Sequence, residues 1–295
     1  MNLFISNFKY FFLTVLTIFI FGLTSFCLIS EYLVASNKKK SSYEKIKKKY
    51  HNPFQKDYVL FADSHGFSGI KERDNLINHS FVGDNLLTIV RKISFFVERN
   101  KVKGIIIQAD PHQLAMYRLT KNQDELIDDF LNGNNNLLTF YRMPYRQNLI
   151  NYWNEFIKGF FNSNEQKKEL KKDINIKRKT LIRVNTHTPI NNFEISKHVQ
   201  ELKKLLLNLK KKNINICLIS FPLASSYRKH IKNNENFIDA YKFYNELSKK
   251  FSIKYFDYKS LLTDNYFSDP DHLNIKGSNE LTKVVLNDCF KENNL

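Results

Sequence analysis

Residues able to cooperate on an ester carbonyl stand near the two ends of the polar part of this chain: Ser64 at its start, Asp269 and His272 close to its end. A serine hydroxyl is a weak nucleophile unless a base takes its proton, and that base must be oriented by a third group. His272 can be the base. Asp269 lies three residues earlier, so one turn of chain can present both side chains to the same point, where the carboxylate holds the ring and stabilises imidazolium. Ser64 sits in Ala62-Asp63-Ser64-His65-Gly66, where small neighbours let the hydroxyl stand exposed at a tight strand-to-loop turn.

Each motif alone has a plainer explanation. Asp63 and Ser64 after a strand ordinarily satisfy backbone groups in a turn, and Asp271 or Asn274 reads equally well as the cap of the helix that follows. Their occurrence together, at opposite ends of one alternating domain, favours the catalytic reading. His65 is read as a turn or pocket-lining residue, because adjacent side chains cannot easily bring their reactive atoms together. Asp110 and His112 are expected in minor, substrate-contacting positions, and His187 is assigned no role. No spacing among His65, Asp110, His112, Asp269 and His272 is diagnostic of zinc. No metal or other cofactor is expected, since Ser-His-Asp chemistry needs none.

These residues need strands and helices to position them. Residues 58–63 form an apolar run ending in a polar cluster, which predicts a buried strand delivering its last residues to a loop. Leu86, Val90, Ile93, Phe96 and Val97 recur at helical spacing, and 104–108 is a second short apolar run. Further on, 199–209 predicts an amphipathic helix, 214–221 a strand stopped by Pro222, 237–251 a helix, 253–256 a short strand and 278–290 a closing helix. This alternation predicts an α/β domain over residues 57–295: a mostly parallel sheet in a three-layer α/β/α sandwich of flavodoxin-like type. Ligands in such sheets bind at the loops beyond the carboxyl ends of the strands. Residues 113–190 break the rhythm and are expected to form an insertion or lid. Its aromatic stretch 140–161, with Tyr141, Tyr145, Tyr152 and Trp153, suits core packing of that insertion; sugar stacking or a membrane surface are the alternatives.

The D-S after the first strand and the D-x-x-H before the last helix resemble the first and last sequence blocks of SGNH (GDSL-like) hydrolases, and together they bracket nearly the whole domain. The resemblance implies an SGNH fold with Ser64, Asp269 and His272 as the triad. It also implies an oxyanion hole from the Ser64 amide, a second-block glycine, for which Gly83 is the candidate, and an asparagine in a G-x-N-D block. No G-x-N-D follows the second strand at Gln108-Ala109-Asp110, so Gln108 or Asn85 is expected to substitute. The altered block, the apolar N-terminus and the ending F-x-D-x-x-H-L-N are similar to membrane-linked SGNH-like proteins such as alginate O-acetyltransferases and the D-alanyl transfer protein of teichoic acid synthesis.

Composition bounds the rest. At 295 residues with 42% hydrophobic and 14% aromatic content, the chain can fill one main core. The net charge of +17 invites a nucleic-acid reading, but much of the excess sits in the runs 38–49 and 167–179, without the interleaved aromatics that stack on bases. Nucleic acid is therefore not the expected partner. Residues 10–30 carry no charge and are long enough for a helix to cross roughly 30 Å of hydrocarbon; an uncleaved anchor over 1–34 and a basic linker over 35–56 are expected. Lysines 38, 39, 40, 45 and 47–49 after the helix argue for a cytoplasmic domain, whereas a long domain anchored this way often acts on the far side. Cys27, Cys217 and Cys289 stand far apart and imply no disulfide framework.

The expected function is a membrane-anchored serine esterase or O-acyltransferase acting on acyl esters of a cell-envelope glycan or similar polymer, with water or a glycan hydroxyl as acceptor. The alternative, favoured by the altered oxyanion block, is an inactive SGNH-like protein that binds a polysaccharide or a membrane partner.

Overall fold

The computed structural model describes residues 2–38, 42–51, 56–132, 149–150, 153–154 and 172–290. By contacts the chain divides into two units, one made of residues 1–48 with 128–166 and the other of 49–127 with 167–295.

In the first unit the helix Asn2–Lys38 contains a 24-residue apolar stretch, Tyr10–Leu33, with mean hydropathy 2.4. At about 1.5 Å per residue this stretch is roughly 36 Å long, enough to cross a bilayer core of ~30 Å. Its threonines do not interrupt the apolar surface: the hydroxyls of Thr14, Thr17 and Thr24 donate back to the carbonyls of Tyr10, Leu13 and Ile20, so each polar group is satisfied within the helix. Trp153 stacks on Phe26 at 5.6 Å; Tyr141, Tyr145 and Tyr152 of the aromatic stretch lie outside the described residues.

The second unit is built on a five-stranded sheet: β1 (Tyr58–Phe61), β2 (Leu76–Asn78), β3 (Gly104–Gln108), β4 (Asn215–Ser220) and β5 (Lys254–Asp257). The order is β2-β1-β3-β4-β5 and every pairing is parallel, as the α/β alternation predicts. Side chains alternate between the two faces. Leu60, Ile106, Cys217 and Ile219 pack against Leu281, Val285 and Cys289 of the closing helix Ile275–Phe290. On the other face Phe61 meets Phe96 edge-on at 5.7 Å, from the helix Leu86–Arg99, which in turn packs on Lys197–Lys211. Burial on both faces explains why the strands read as continuous apolar runs rather than alternating ones.

The structure departs from the sequence reading in three places. β2 was not anticipated, because Leu-Ile-Asn is too short to carry a period. Within the basic linker, Ser42–His51 forms a helix, and Tyr50 at its end is buried, donating its hydroxyl to the Lys92 carbonyl at 2.6 Å. Cys217 and Cys289 form a disulfide across a sequence separation of 72; the expectation of no disulfide fails because the packing of β4 on the closing helix, which joins them, is invisible in their spacing.

Candidate active site

The strand order reverses at β1 and β3, and the crevice beyond their carboxyl ends is where ligands bind in open parallel sheets. Ser64 follows β1 there, Asp110 and His112 follow β3, and the loop before the closing helix returns to the same end. Asp63 caps the short helix Ser64–Gly69, its Oδ1 accepting from the His65 N–H at 2.9 Å. Gly66 is required by closeness: a Cβ there would lie 2.4 Å from Ala62 Cβ and 2.5 Å from Ser80 Oγ.

The second half of the site is a tight loop. Phe267 and Leu273 form an antiparallel bridge and the Ser268 N–H donates to the His272 carbonyl at 2.9 Å. Inside this turn Asp269 Oδ1 accepts the backbone N–H groups of Asp271 at 3.1 Å and His272 at 2.9 Å. Asn274, not Asp271, caps the next helix, accepting from the Gly277 N–H.

The structure brings Ser64, His272 and Asp269 into one hydrogen-bonded chain. His272 Nε2 lies 3.0 Å from Ser64 Oγ, and its Nδ1 lies 3.0 Å from both oxygens of Asp269. A hydroxyl bonded to an imidazole that is itself backed by a carboxylate is the arrangement that activates a serine. Burial opposes charge on His272, but its hydrogen bonds to Asp269 and then Asp271 outweigh this and raise its pKa, with His65 pulling the other way. For Asp269 burial pushes upward, yet the bond to His272 leaves it below its ordinary range.

Around this chain is a buried charged network that the sequence reading did not find. Asp63, fully buried, accepts from Arg118 Nη2 at 2.6 Å, Gln108 Nε2 at 3.0 Å and Gln113 Nε2 at 3.1 Å, and faces His112 Nε2 at 2.8 Å and His65 Nδ1 at 2.9 Å. Burial raises its pKa, but His65 and His112 overcome that and hold it well below the carboxylate range. Arg183, on the helix Lys172–His187, donates to Asp269 at 2.8 Å and also pairs with Asp271. His187, given no role from sequence, places Nδ1 3.0 Å from the Tyr227 hydroxyl. The rings of His272, His65, His112 and His187 follow one another at 4.7, 4.5 and 5.1 Å. Burial drives His112 down to about 4 and His187 to about 2, so both are neutral at ordinary pH. Nothing in the spacing of Arg118, Arg183 or His187 announces them; the one signal for Asp271 is its place two residues from Asp269 and next to His272.

The other sequence-predicted site residues are engaged as follows. Gln108 Nε2 donates to Asp63 and Asp110, and its Oε1 accepts the Asp63 N–H at 2.8 Å. Asn85 caps the helix Leu86–Arg99 through Thr88 N–H and spends its amide on the carbonyls of Arg118 and Lys121. Asp110 braces the end of β4, accepting the Phe221 N–H at 2.7 Å, and burial raises it to about 7. Gly83 occupies a turn with φ +89°, a conformation glycine adopts without strain. The turn is tied to the nucleophile loop by the Phe81 N–H donating to the Ala62 carbonyl at 3.0 Å. Asp63, His65 and His112, and likewise His65, Asp271 and His272, are close enough to hold an ion, but the guanidinium of Arg118 on Asp63 opposes a second cation there.

A protein-family model matches residues 140–294, just over half of the chain, and the chain belongs to the family that this model describes; the match includes Asp269 and His272. Among solved structures the chain is similar to a GDSL-like lipase from Bacteroides thetaiotaomicron (10% identity, TM-score 0.44, covering 83% of this chain and 95% of that one). It is also similar to the lipase/acylhydrolase from Enterococcus faecalis (12%, 0.41, 79% and 94%) and to an acetylxylan esterase from Geobacillus stearothermophilus (9%, 0.42, 82% and 97%). No curated protein matches it by sequence.

Proposed function

We propose that this chain is a membrane-anchored serine esterase or O-acyltransferase of the SGNH type, acting on acyl esters of a cell-envelope glycan or similar polymer. The observation that supports it most is the unbroken chain from Ser64 Oγ through His272 to Asp269, with 3.0 Å at each step. Ser64 Oγ attacks the acyl carbon while His272 Nε2 takes its proton, and Asp269 stabilises the resulting imidazolium. The tetrahedral intermediate collapses as His272 protonates the departing alkoxide, leaving an acyl ester on Ser64. Water or a glycan hydroxyl, deprotonated by His272, then takes the acyl group and restores Ser64. With both candidate side-chain amides committed to the scaffold, the oxyanion falls to backbone N–H groups, those of Ser64 and Gly83, which is a leaner version of the usual electrostatic device.

The disulfide between Cys217 and Cys289 supports an extracytoplasmic domain, since such bonds persist in oxidising compartments. It outweighs the lysines after the helix, because charge bias loses force when a long domain follows. The committed amides of Gln108 and Asn85 favour the second reading, a non-catalytic binder with the same fold. Turnover of a small acetyl ester by the full-length protein in detergent separates the two: Ser64→Ala and His272→Ala should each lower kcat/KM by ~10³-fold or more. Absence of turnover together with retained binding of an acetylated polysaccharide would favour the binder.

A further inference from the structure

Of the rings of the imidazole column outside the Ser64–His272–Asp269 chain, His65 is the one next to His272, and it is held between two buried carboxylates. His65 has Asp63 Oδ1 at 2.9 Å from Nδ1 and Asp271 Oδ2 at 3.4 Å from Nε2, and all three side chains are at most 4% exposed. A neutral imidazole has a single N–H and can serve only one of two carboxylates; the imidazolium serves both. The His65 ring lies 4.7 Å from that of His272 and within 16° of parallel. Asp271 in turn places Oδ1 3.3 Å from His272 Nδ1, beside Asp269. Among the described residues its Oδ2 is met at ion-pair rather than hydrogen-bond geometry, by His65 at 3.4 Å and His187 at 3.5 Å.

Three carboxylates meet two guanidiniums here, so one protonated imidazole balances the cluster, and His65 is the ring held between two of the carboxylates. Asp63, Asp269 and Asp271 are matched by Arg118, Arg183 and His65, which leaves His272 neutral and able to accept the Ser64 proton. With His65 neutral, the missing positive charge would fall to His272, and the base would be occupied before the reaction began.

We propose that His65 is a positioning residue for the Ser64 reaction: bridged between Asp63 and Asp271 and stacked on His272, it fixes the second carboxylate on His272 Nδ1 and sets a compensating charge against the base. This rests on the esterase reading above. The groups facing His65 are Asp63, Asp271, His112 and His272, with Asp110 also in its field; those facing His272 are Asp269, Asp271, Ser64 and His65, with Arg183 on both carboxylates. Their signs are opposed: His65 lowers the pKa of His272 and Asp271 raises it.

Two variants of the full chain therefore move in opposite directions. His65→Gln keeps an N–H donor but removes the charge, and the acid limb of kcat/KM for a small acetyl ester should shift to higher pH. Asp271→Asn should shift it to lower pH, each by about half to one unit. A purely structural role would lower activity in both variants without separating the limbs, and that result would overturn the proposal. The ring state is read independently by NMR of isotope-labelled histidine in the wild-type protein: both nitrogens of His65 should carry protons at neutral pH, and a single neutral tautomer would also overturn it. If His65→Gln lacks a cooperative melt, the Asp271→Asn shift and the wild-type ring state still decide. Because the NMR signal does not need turnover, a protonated His65 in a protein without esterase activity would count against the esterase reading alone.

Discussion

Reducing the bond between Cys217 and Cys289 perturbs the site from a distance, and the cost follows from the structure. The bond joins β4 to the closing helix across a separation of 72 residues. Restricting the unfolded chain over a loop of that length is worth about 4 kcal/mol in the chain-entropy model. With a urea m-value near the top of the usual range, about 2–3 kcal/mol/M, reduction should move the unfolding midpoint of the unit that carries the sheet down by roughly 1.3–2 M. β4 leads into Phe221, whose N–H is held by Asp110, and the closing helix begins just after His272, so loosening this link frees the two loops that must meet at Ser64. Urea titration with and without reductant, alongside a thiol count on denatured, unreduced protein, measures it. One thiol, that of Cys27, is expected; three thiols, or an unchanged midpoint after reduction, would refute both the cross-link and the argument for an oxidising compartment.

Further outcomes follow from the same geometry. Gly66→Ala places a Cβ against Ala62 and Ser80 and should cost about 1–3 kcal/mol by overpacking, read by thermal melting, with a loss of turnover as Ser64 is displaced. Asp269→Asn should lower kcat by about 10²-fold rather than ~10⁴-fold, because Asp271 still reaches His272 Nδ1 at 3.3 Å; the double variant with Asp271→Asn should fall further in the same kinetic assay. Arg118→Met leaves Asp63 buried without its guanidinium and should cost about 3–5 kcal/mol, checked by urea unfolding. His112 is buried with its pKa lowered from 6.5 to about 4, so its contribution is complete above pH 6.5 and is lost as pH falls towards 4. On the order of 3 kcal/mol of stability should disappear over that window, and His112→Gln should flatten this part of the stability profile.

Much of the fold was legible because buried parallel strands and amphipathic helices write themselves into runs such as 104–108 and 214–221. The D-S and D-x-x-H motifs fell at the carboxyl end of the sheet because parallel topology puts every such loop there. What was not legible is set by contacts between distant segments. Arg118 and Arg183 belong to the region that breaks the rhythm, and only folding brings them to Asp63, Asp269 and Asp271. Gln108 and Asn85 looked like free amides because sequence cannot show that their N–H groups are already donated. Asp271 and His65 illustrate the same limit at closer range: each neighbours a catalytic candidate and fits local turn geometry, whereas the opposite charge it is buried against lies on the other, more than 200 residues away.

The proposed function stands or falls with Ser64 as a nucleophile activated by His272. The most direct test is covalent labelling of the full-length protein with a fluorophosphonate, followed by peptide mass spectrometry. A single adduct on Ser64 is expected, absent in Ser64→Ala and strongly slowed in His272→Ala. A folded wild-type protein that takes no label at Ser64, or one labelled equally fast without His272, would contradict it.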